Sequence, residues 1–478
     1  MDHSSSSSAP RAQDEKEAQQ ASPAVGFRVF GQDADLAAIV LVYFVQGALG
    51  LSSLATSFFL KDELGLQPSE LALLGGAASL PWLVKPLWGF LSDSVPLLGY
   101  RRRSYLVLAG GLGCCGWLAL AAPGCVTSPP TALAALLATS LATAVSDVVV
   151  DSLVVERTRA APAATAGTLQ SLCWGASSVG TLATALLSGS LVQHYGPRPV
   201  FLFTAAFPLL VALVAPLVRD EAPLGGQGAL SLGAQAQRLA ATFSAPQIYQ
   251  PALFLFLWQA APSPDAALFF FTTEQLHFTP EFLGRAKLAG ACASLAGVWL
   301  YNSYLKRVPI ATIFRSTAVL GATLGCTQLL LVTGLNRQLG ISDQAFALSD
   351  TVVLTALGRI SFLPTLVLAA RICPEGVEAT LFAALMSVFN AAGVASGAGG
   401  AALTAALGVK DGNFDNLPAL ILICNGLSLA SLPFLRLLDS VPGLGEAEQG
   451  VEDVELHEIA APTTAAHERD PPDASKQA

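Results

Sequence analysis

The sequence predicts an all-α membrane protein with about twelve transmembrane helices in two pseudo-symmetric six-helix bundles. Three observations carry that prediction. The 478 residues are 53% hydrophobic and only 12% charged, against about 25% charged in an average soluble domain. Apolar runs of roughly twenty residues recur between short polar breaks, each long enough to cross a bilayer as a helix. Short motifs also repeat at a nearly constant offset between the two halves of the chain. A helix is the expected form of each run because it satisfies its own backbone N–H and C=O groups where no water is present.

The runs fall at residues 36–60, 69–91, 104–122, 131–155, 164–192 and 200–217 in the first half. In the second half they fall at 250–273, 283–304, 310–334, 345–371, 377–407 and 417–438. Residues 219–249 are richer in Gly and polar groups and read as a cytosolic linker between bundles at 36–218 and 250–439. Residues 1–35 and 440–478 are too polar to build a core and read as disordered cytosolic tails. The first tail has no apolar stretch of the kind a secretory signal needs. The basic residues of the connections divide ten to six in favour of one side, which also holds the cluster Arg101, Arg102 and Arg103. By the positive-inside rule that side is the cytosol and both termini lie there. Which cellular membrane holds the chain is left open.

Gly167–Leu172 resembles Ala379–Ala384 about 212 residues later, and Gln46 in the first helix answers Gln259 in the seventh. The net charge of −9 is concentrated in the tails and gives no basic surface for nucleic acid. The eight cysteines show no metal-ligand or disulfide spacing, so no metal and no cofactor is expected. The expected partners are the lipid bilayer, a small-molecule substrate and protons, with the chain as a monomer.

The segment from Lys85 to Arg103 contains Gly89, Asp93, a turn glycine at 99 and then three arginines. It resembles the loop between the second and third helices of major facilitator transporters. Gly89 permits close helix approach, and Asp93 can meet an arginine or the positive end of a helix. Lys85, Gly89, Asp93, Arg101, Arg102 and Arg103 are therefore candidate gating residues, and Glu156, Arg157 and Arg371 join them near the cytosolic ends of helices. Plain anchoring of the basic cluster at the membrane surface is the competing reading.

Several further stretches narrow the resemblance. Ser146–Arg157, Leu169–Gly175, Phe256–Asp265, Phe278–Gly284, Leu368–Pro374 and Asn413–Leu417 are similar, in order, to the folate–biopterin transporter family of plants, algae, cyanobacteria and protozoa. The resemblance implies a secondary carrier of folates or pterins, coupled to protons. Family members sent to plastids carry a longer basic leader, which this chain lacks, so a plastid address is not supported.

Asp147 and Asp151 stand four residues apart on one face of the fourth helix, where a carboxylate in hydrocarbon is costly. They read either as a proton-coupling pair or as structural acids, with Lys85 a partner for one of them. Asp265 follows Pro262 and Pro264, which break the seventh helix by removing backbone donors, and is the third candidate for coupling. Gln170 and Trp174 would offer a flat pterin both an edge and a stacking face. With Gln46, Gln259 and Asn390 they form the candidate substrate-binding set. Arg359 could receive folate carboxylates, but an amide is more usual there in the family and it stays outside the set.

Two other functions compete. One is the same fold carrying a different small organic anion. The other is a membrane enzyme holding a metal–diphosphate on Asp147 and Asp151, but a second Asp-rich cluster, HExxH and a phosphate loop are all missing. No catalytic residues are assigned. The topology predicts that epitope tags at either terminus are reached by antibody only after the membrane is permeabilised. Labelling of intact cells would reverse the orientation.

Overall fold

The computed structural model describes residues 34–372 and 378–440, apart from 98, 161–162, 219–236 and 238–243. The linker and both tails expected from the sequence therefore lie almost wholly outside the described residues. Among those described the structure is helical nearly throughout, with only two isolated β-bridges, at Leu97–Tyr100 and Lys410–Asn413.

Among the described residues, nine segments are long and apolar enough to cross a membrane. They are α1 (Ala34–Glu63), α2 (Pro68–Ser94), α3 (Arg103–Ala121), α4 (Pro129–Arg157), α5 (Ser171–Tyr195), α6 (Pro197–Leu217), α9 (Ile310–Val332), α10 (Asp343–Ala369) and α12 (Leu417–Asp439). Helix continues through Ala160 after α4, begins at Ala163 before α5 and ends at Arg371 after α10. Three more helical segments complete the series: α7 (Pro246–Gln259, then Asp265–Glu274), α8 (Pro280–Leu300) and α11 (Glu378–Ala406). The break in α7 falls at 260–264, where the two prolines lead one to expect it.

Local chemistry sets the ends. Gln67 and Glu70 form a capping box before Pro68, with the Gln67 N–H donating to Glu70 Oε2 at 2.8 Å. Thr279 caps α8 by accepting from the Phe282 N–H at 3.2 Å, with Pro280 in the first turn. Between α5 and α6 the chain reverses at Gly196, whose φ of 79° is open to glycine and strained for other residues.

Lipid tails supply no hydrophobic drive between helices, so small residues let backbones approach closely instead. A Cβ on Gly47 of α1 would overlap the Ser177 carbonyl of α5, and one on Gly110 of α3 would lie 2.5 Å from the Pro208 carbonyl of α6. The second half repeats both pairings. A Cβ on Gly400 of α11 would overlap the Ser263 carbonyl of the α7 break, and one on Gly325 of α9 would overlap the Asn425 side chain of α12. Each half has its own buried clusters, around Ile39, Leu106 and Val150 in the first and around Phe254, Phe314 and Leu385 in the second.

The halves meet along α2 with α11 and α5 with α8. Their closest contacts gather at the end where α1 turns into α2. There a Cβ on Gly284 would lie 2.6 Å from Gly189 Cα, and Phe58 meets Phe269 edge-to-face at 5.2 Å. Lys61 of α1 pairs with Glu274 of α7, and the Asp411 N–H donates to Gln67 Oε1 at 3.0 Å. At the opposite end, among the described residues, ion pairs lie within the first half: Asp93 with Arg102, Arg102 with Glu156, and Arg157 with Asp35. One end is thus latched across the halves, and the other is braced within one half.

Close approach makes a local prediction. Gly47→Ala lowers stability by about 1–3 kcal/mol, because its methyl has to push α5 aside. Gly111→Ala on α3, with no atom within 4 Å of the new methyl, does not lower stability. Thermal unfolding in detergent measures both, and equal effects would refute the packing account.

Candidate functional site

A cavity of about 420 Å³ lies between the halves. Gly76, Ser79 and Trp82 of α2, Gln259 of α7, and Phe389, Asn390, Gly393 and Val394 of α11 line it. Its size is within the range of small-molecule sites.

Two broken helices build it. In α2 the α-helix stops at Ala78, a 3₁₀ turn covers Leu80–Trp82, and α-helix resumes at Lys85. Pro81 and Pro86 lack the donors a continuous helix needs, so nearby carbonyls are freed. Asn390 Nδ2 donates to the Trp82 carbonyl at 3.2 Å across the halves, and Trp88 Nε1 donates to the Pro81 carbonyl at 2.8 Å. The α7 break is satisfied in the same way, by Ser396 Oγ donating to the Ala261 carbonyl at 2.6 Å. Gln259 ends the first part of α7 and so faces the cavity beside the break.

Next to Trp82 stands a charged group. Lys85 Nζ lies 5.2 Å from the centre of the Trp82 ring and forms an ion pair with Asp147 of α4. Both side chains are largely buried, at 16% and 17% exposure, so each charge depends on the other for its solvation. One turn along α4, Asp151 accepts from the Tyr43 hydroxyl of α1 at 2.6 Å. The two acids share a face, as their spacing requires, but each has its own partner on a different helix.

Of the five residues expected to bind substrate, Gln259 and Asn390 come together at the cavity. Gln46 lies elsewhere, lining a separate small pocket inside the first half together with Trp117, Thr139, Ser146 and Pro208. Trp174 is 62% exposed on α5 and does not line the cavity; the Gln170 side chain lies outside the described residues. Asp265 opens the second part of α7, is exposed, and stands clear of the cavity lining.

The expected gating residues divide. Lys85 stands with Asp147 rather than with the basic turn. Asp93 reaches Arg102 at 3.1 Å and Arg101 at 3.7 Å, Arg102 also pairs with Glu156, and Arg103 lies 4.2 Å from the centre of the Tyr100 ring. Arg157 holds Asp35 at the start of α1. A Cβ on Gly89 would lie 3.3 Å from Val148, so this glycine brings α2 close to α4. The Arg371 side chain lies outside the described residues.

Sequence reasoning missed Trp82, Phe389 and Tyr43, and it assigned no role to Lys61 or Lys287. Lys61 is in the last turn of α1 and Lys287 lies inside α8. The pattern Pro81-Trp82 followed by Lys85-Pro86 was the available signal for the α2 break.

Breaking a buried ion pair strands a charge, whereas removing both partners does not. Lys85→Met lowers stability by about 3–5 kcal/mol, and Lys85→Met with Asp147→Asn recovers most of the loss. Thermal unfolding of the two singles and the double decides it; additive losses would show that the pair is energetically idle.

Comparison with known proteins agrees with this architecture. The nucleoside transporter NupG superposes with a TM-score of 0.63 over 84% of this chain and 98% of its own, at 14% identity. The D-xylose-proton symporter gives 0.63 over 86% and 99%, at 14% identity. Both likenesses are of fold, and the fold is that of the major facilitators. By sequence, the chain is 49% identical to the folate-biopterin transporter of Synechocystis sp. (strain ATCC 27184 / PCC 6803 / Kazusa) over 84% of this chain and 81% of that protein. It is 30% identical to probable folate-biopterin transporter 4 of Arabidopsis thaliana over 79% and 90%, and 28% identical to folate transporter 2 of Plasmodium falciparum (isolate 3D7) over 85% and 89%. These relatives are named as transporters rather than enzymes, and with the helices described here this is a multi-pass membrane transporter. Residues 46–453 match the BT1 family, and the chain belongs to it, the family of folate–biopterin transporters.

Proposed function

We propose that this protein carries folates or pterins across a membrane by alternating access, driven by protons, with both termini in the cytosol. The observation that carries the reading is the cavity itself. A flat pterin needs an aromatic face and hydrogen bonds at its edge, and Trp82, Gln259 and Asn390 offer both at one place between the halves. The names of the relatives point to the same substrates.

The asymmetry of the contacts supports alternating access. Opening the latched end requires the Lys61–Glu274 pair and the Gly189–Gly284 contact to part. Closing the other end brings the face around Asp93 and Arg101–Arg103 against the second half, while the cavity keeps its place at the centre of the rocking motion. Arg371 at the end of α10 is positioned in sequence to join that closure.

Proton coupling is assigned to Asp147 and Asp151, with Asp265 the third candidate. A proton arriving on Asp147 removes the charge that holds Lys85 of α2, and one arriving on Asp151 removes the charge that accepts from Tyr43 of α1. Either event loosens α4 from a helix of the same half that borders the cavity or the latch. Protonation state is in this way tied to helix position, because an unpaired charge is too costly to leave in the membrane.

In liposomes, wild-type protein accumulates labelled folate when an inward proton gradient is imposed and only equilibrates it when none is. Excess unlabelled pterin competes. Asp147→Asn or Asp151→Asn abolishes gradient-driven accumulation and keeps folate exchange. Accumulation that ignores the gradient would remove protons from the mechanism, and transport of neither compound would remove the substrate assignment.

A further inference from the structure

We infer that Lys287 of α8 and Arg359 of α10 form a subsite for the carboxylate tail of the substrate. The inference rests on the proposed folate or pterin cargo and names what would separate the two. Arg359 lies inside α10, which is long and apolar enough to cross a membrane, where charge is expensive, and Lys287 lies inside α8. Several other cations of the fold stand beside a carboxylate: Lys85 with Asp147, Lys61 with Glu274, Arg102 with Glu156 and Arg157 with Asp35. Among the described residues Lys287 and Arg359 meet no carboxylate within 4.0 Å. Lys287 Nζ donates to the Ser53 hydroxyl of α1, and Arg359 Nε donates to Ser294 Oγ at 2.8 Å.

These hydroxyl contacts place both cations on one wall. Ser294 is seven residues, two helical turns, beyond Lys287, so the two share a face of α8 about 10 Å apart along its axis. That face looks at α1 of the other half through Ser53. The contacts of α8 with α10 run through Gly290 and Gly297, which face Thr355 and Ala356, and Ser294 borders that interface, where it meets Arg359. Arg359 lies 5.7 Å from the centre of the Phe362 ring, Phe362 meets Phe389 at 5.3 Å, and Phe389 lines the cavity beside Asn390. Two aromatic steps therefore join the guanidinium to the place assigned to the flat ring.

The geometry suits an acyl-glutamate or similar dicarboxylate tail. With Nε engaged by Ser294, the two Nη groups of Arg359 form a fork for one carboxylate, and the compact ammonium of Lys287 serves as a point charge for a second. A ligand with a heteroaromatic ring and such a tail would use both ends, and a tail-less pterin only the ring end. The subsite thus selects the anionic substrate over the neutral one.

The test is uptake of folate and of tail-less biopterin into liposomes by wild type, Lys287→Gln, Arg359→Gln and Arg359→Lys. The ratio of the folate KM to the biopterin KM is expected to rise about tenfold or more in each glutamine variant, and by less in Arg359→Lys, which keeps the charge without the fork. An unchanged ratio in both glutamine variants overturns the subsite, as does an equal loss for both substrates. Should Arg359→Gln fail to insert, Lys287→Gln decides by the same ratio. A wild type that carries neither compound overturns the cargo assignment, a result distinct from one in which both are carried and the ratio does not move.

Discussion

Hydrocarbon offers no hydrogen bonds, so every polar group placed in it must find a partner within the protein or face water. The Lys85–Asp147 pair meets that requirement at the centre of this fold. Lys85 begins the second part of α2 and Asp147 sits on α4, so the pair ties the broken helix to an unbroken one. It also holds the ammonium near the Trp82 ring, at the edge of the cavity. The break that makes the cavity and the charge pair that stabilises its wall are therefore one arrangement. A continuous α2 would present neither the Trp82 carbonyl to Asn390 nor the indole to a substrate.

The same demand accounts for the mirror feature in the second half. The α7 break frees the Ala261 carbonyl, and Ser396 of α11 answers it as Asn390 of α11 answers Trp82. One helix thus serves both breaks, from two positions less than about two turns apart. Gly399 and Gly400 lie against Pro262 and Ser263, so α11 comes close enough to do so only because it carries no side chain there. Irregular backbone is tolerated at membrane depth here because protein, and not lipid, surrounds it.

Asymmetry between the two ends gives the structure its direction. The latched end combines an apolar seal, a glycine–glycine approach and the Lys61–Glu274 pair, all spanning the halves. The braced end spends comparable charge inside the first half, where Arg102 bridges Asp93 and Glu156. An ion pair between rigid bodies resists their separation, while one inside a body keeps its surface in shape. The two sets of charges, similar in composition, therefore have different mechanical consequences.

Much of this was legible in the residues themselves. Hydropathy located the helices to within a few residues because an apolar run of spanning length has one stable form in lipid, whatever its neighbours. The proline pair at 262 and 264 announced the α7 break, since a missing donor acts locally. Asp147 and Asp151 were placed on one face by spacing alone. Only the tertiary structure decided that Lys85 belongs to Asp147, that Tyr43 belongs to Asp151, and that Gln46 turns into the first half, away from the cavity. Those outcomes depend on which helix lies opposite and at what rotation, and amphipathic patterns are too weak in an apolar bundle to specify either. Lys61 and Glu274 illustrate the point: each reads as an ordinary charge at a helix end, and their pairing follows only from how one half rests on the other.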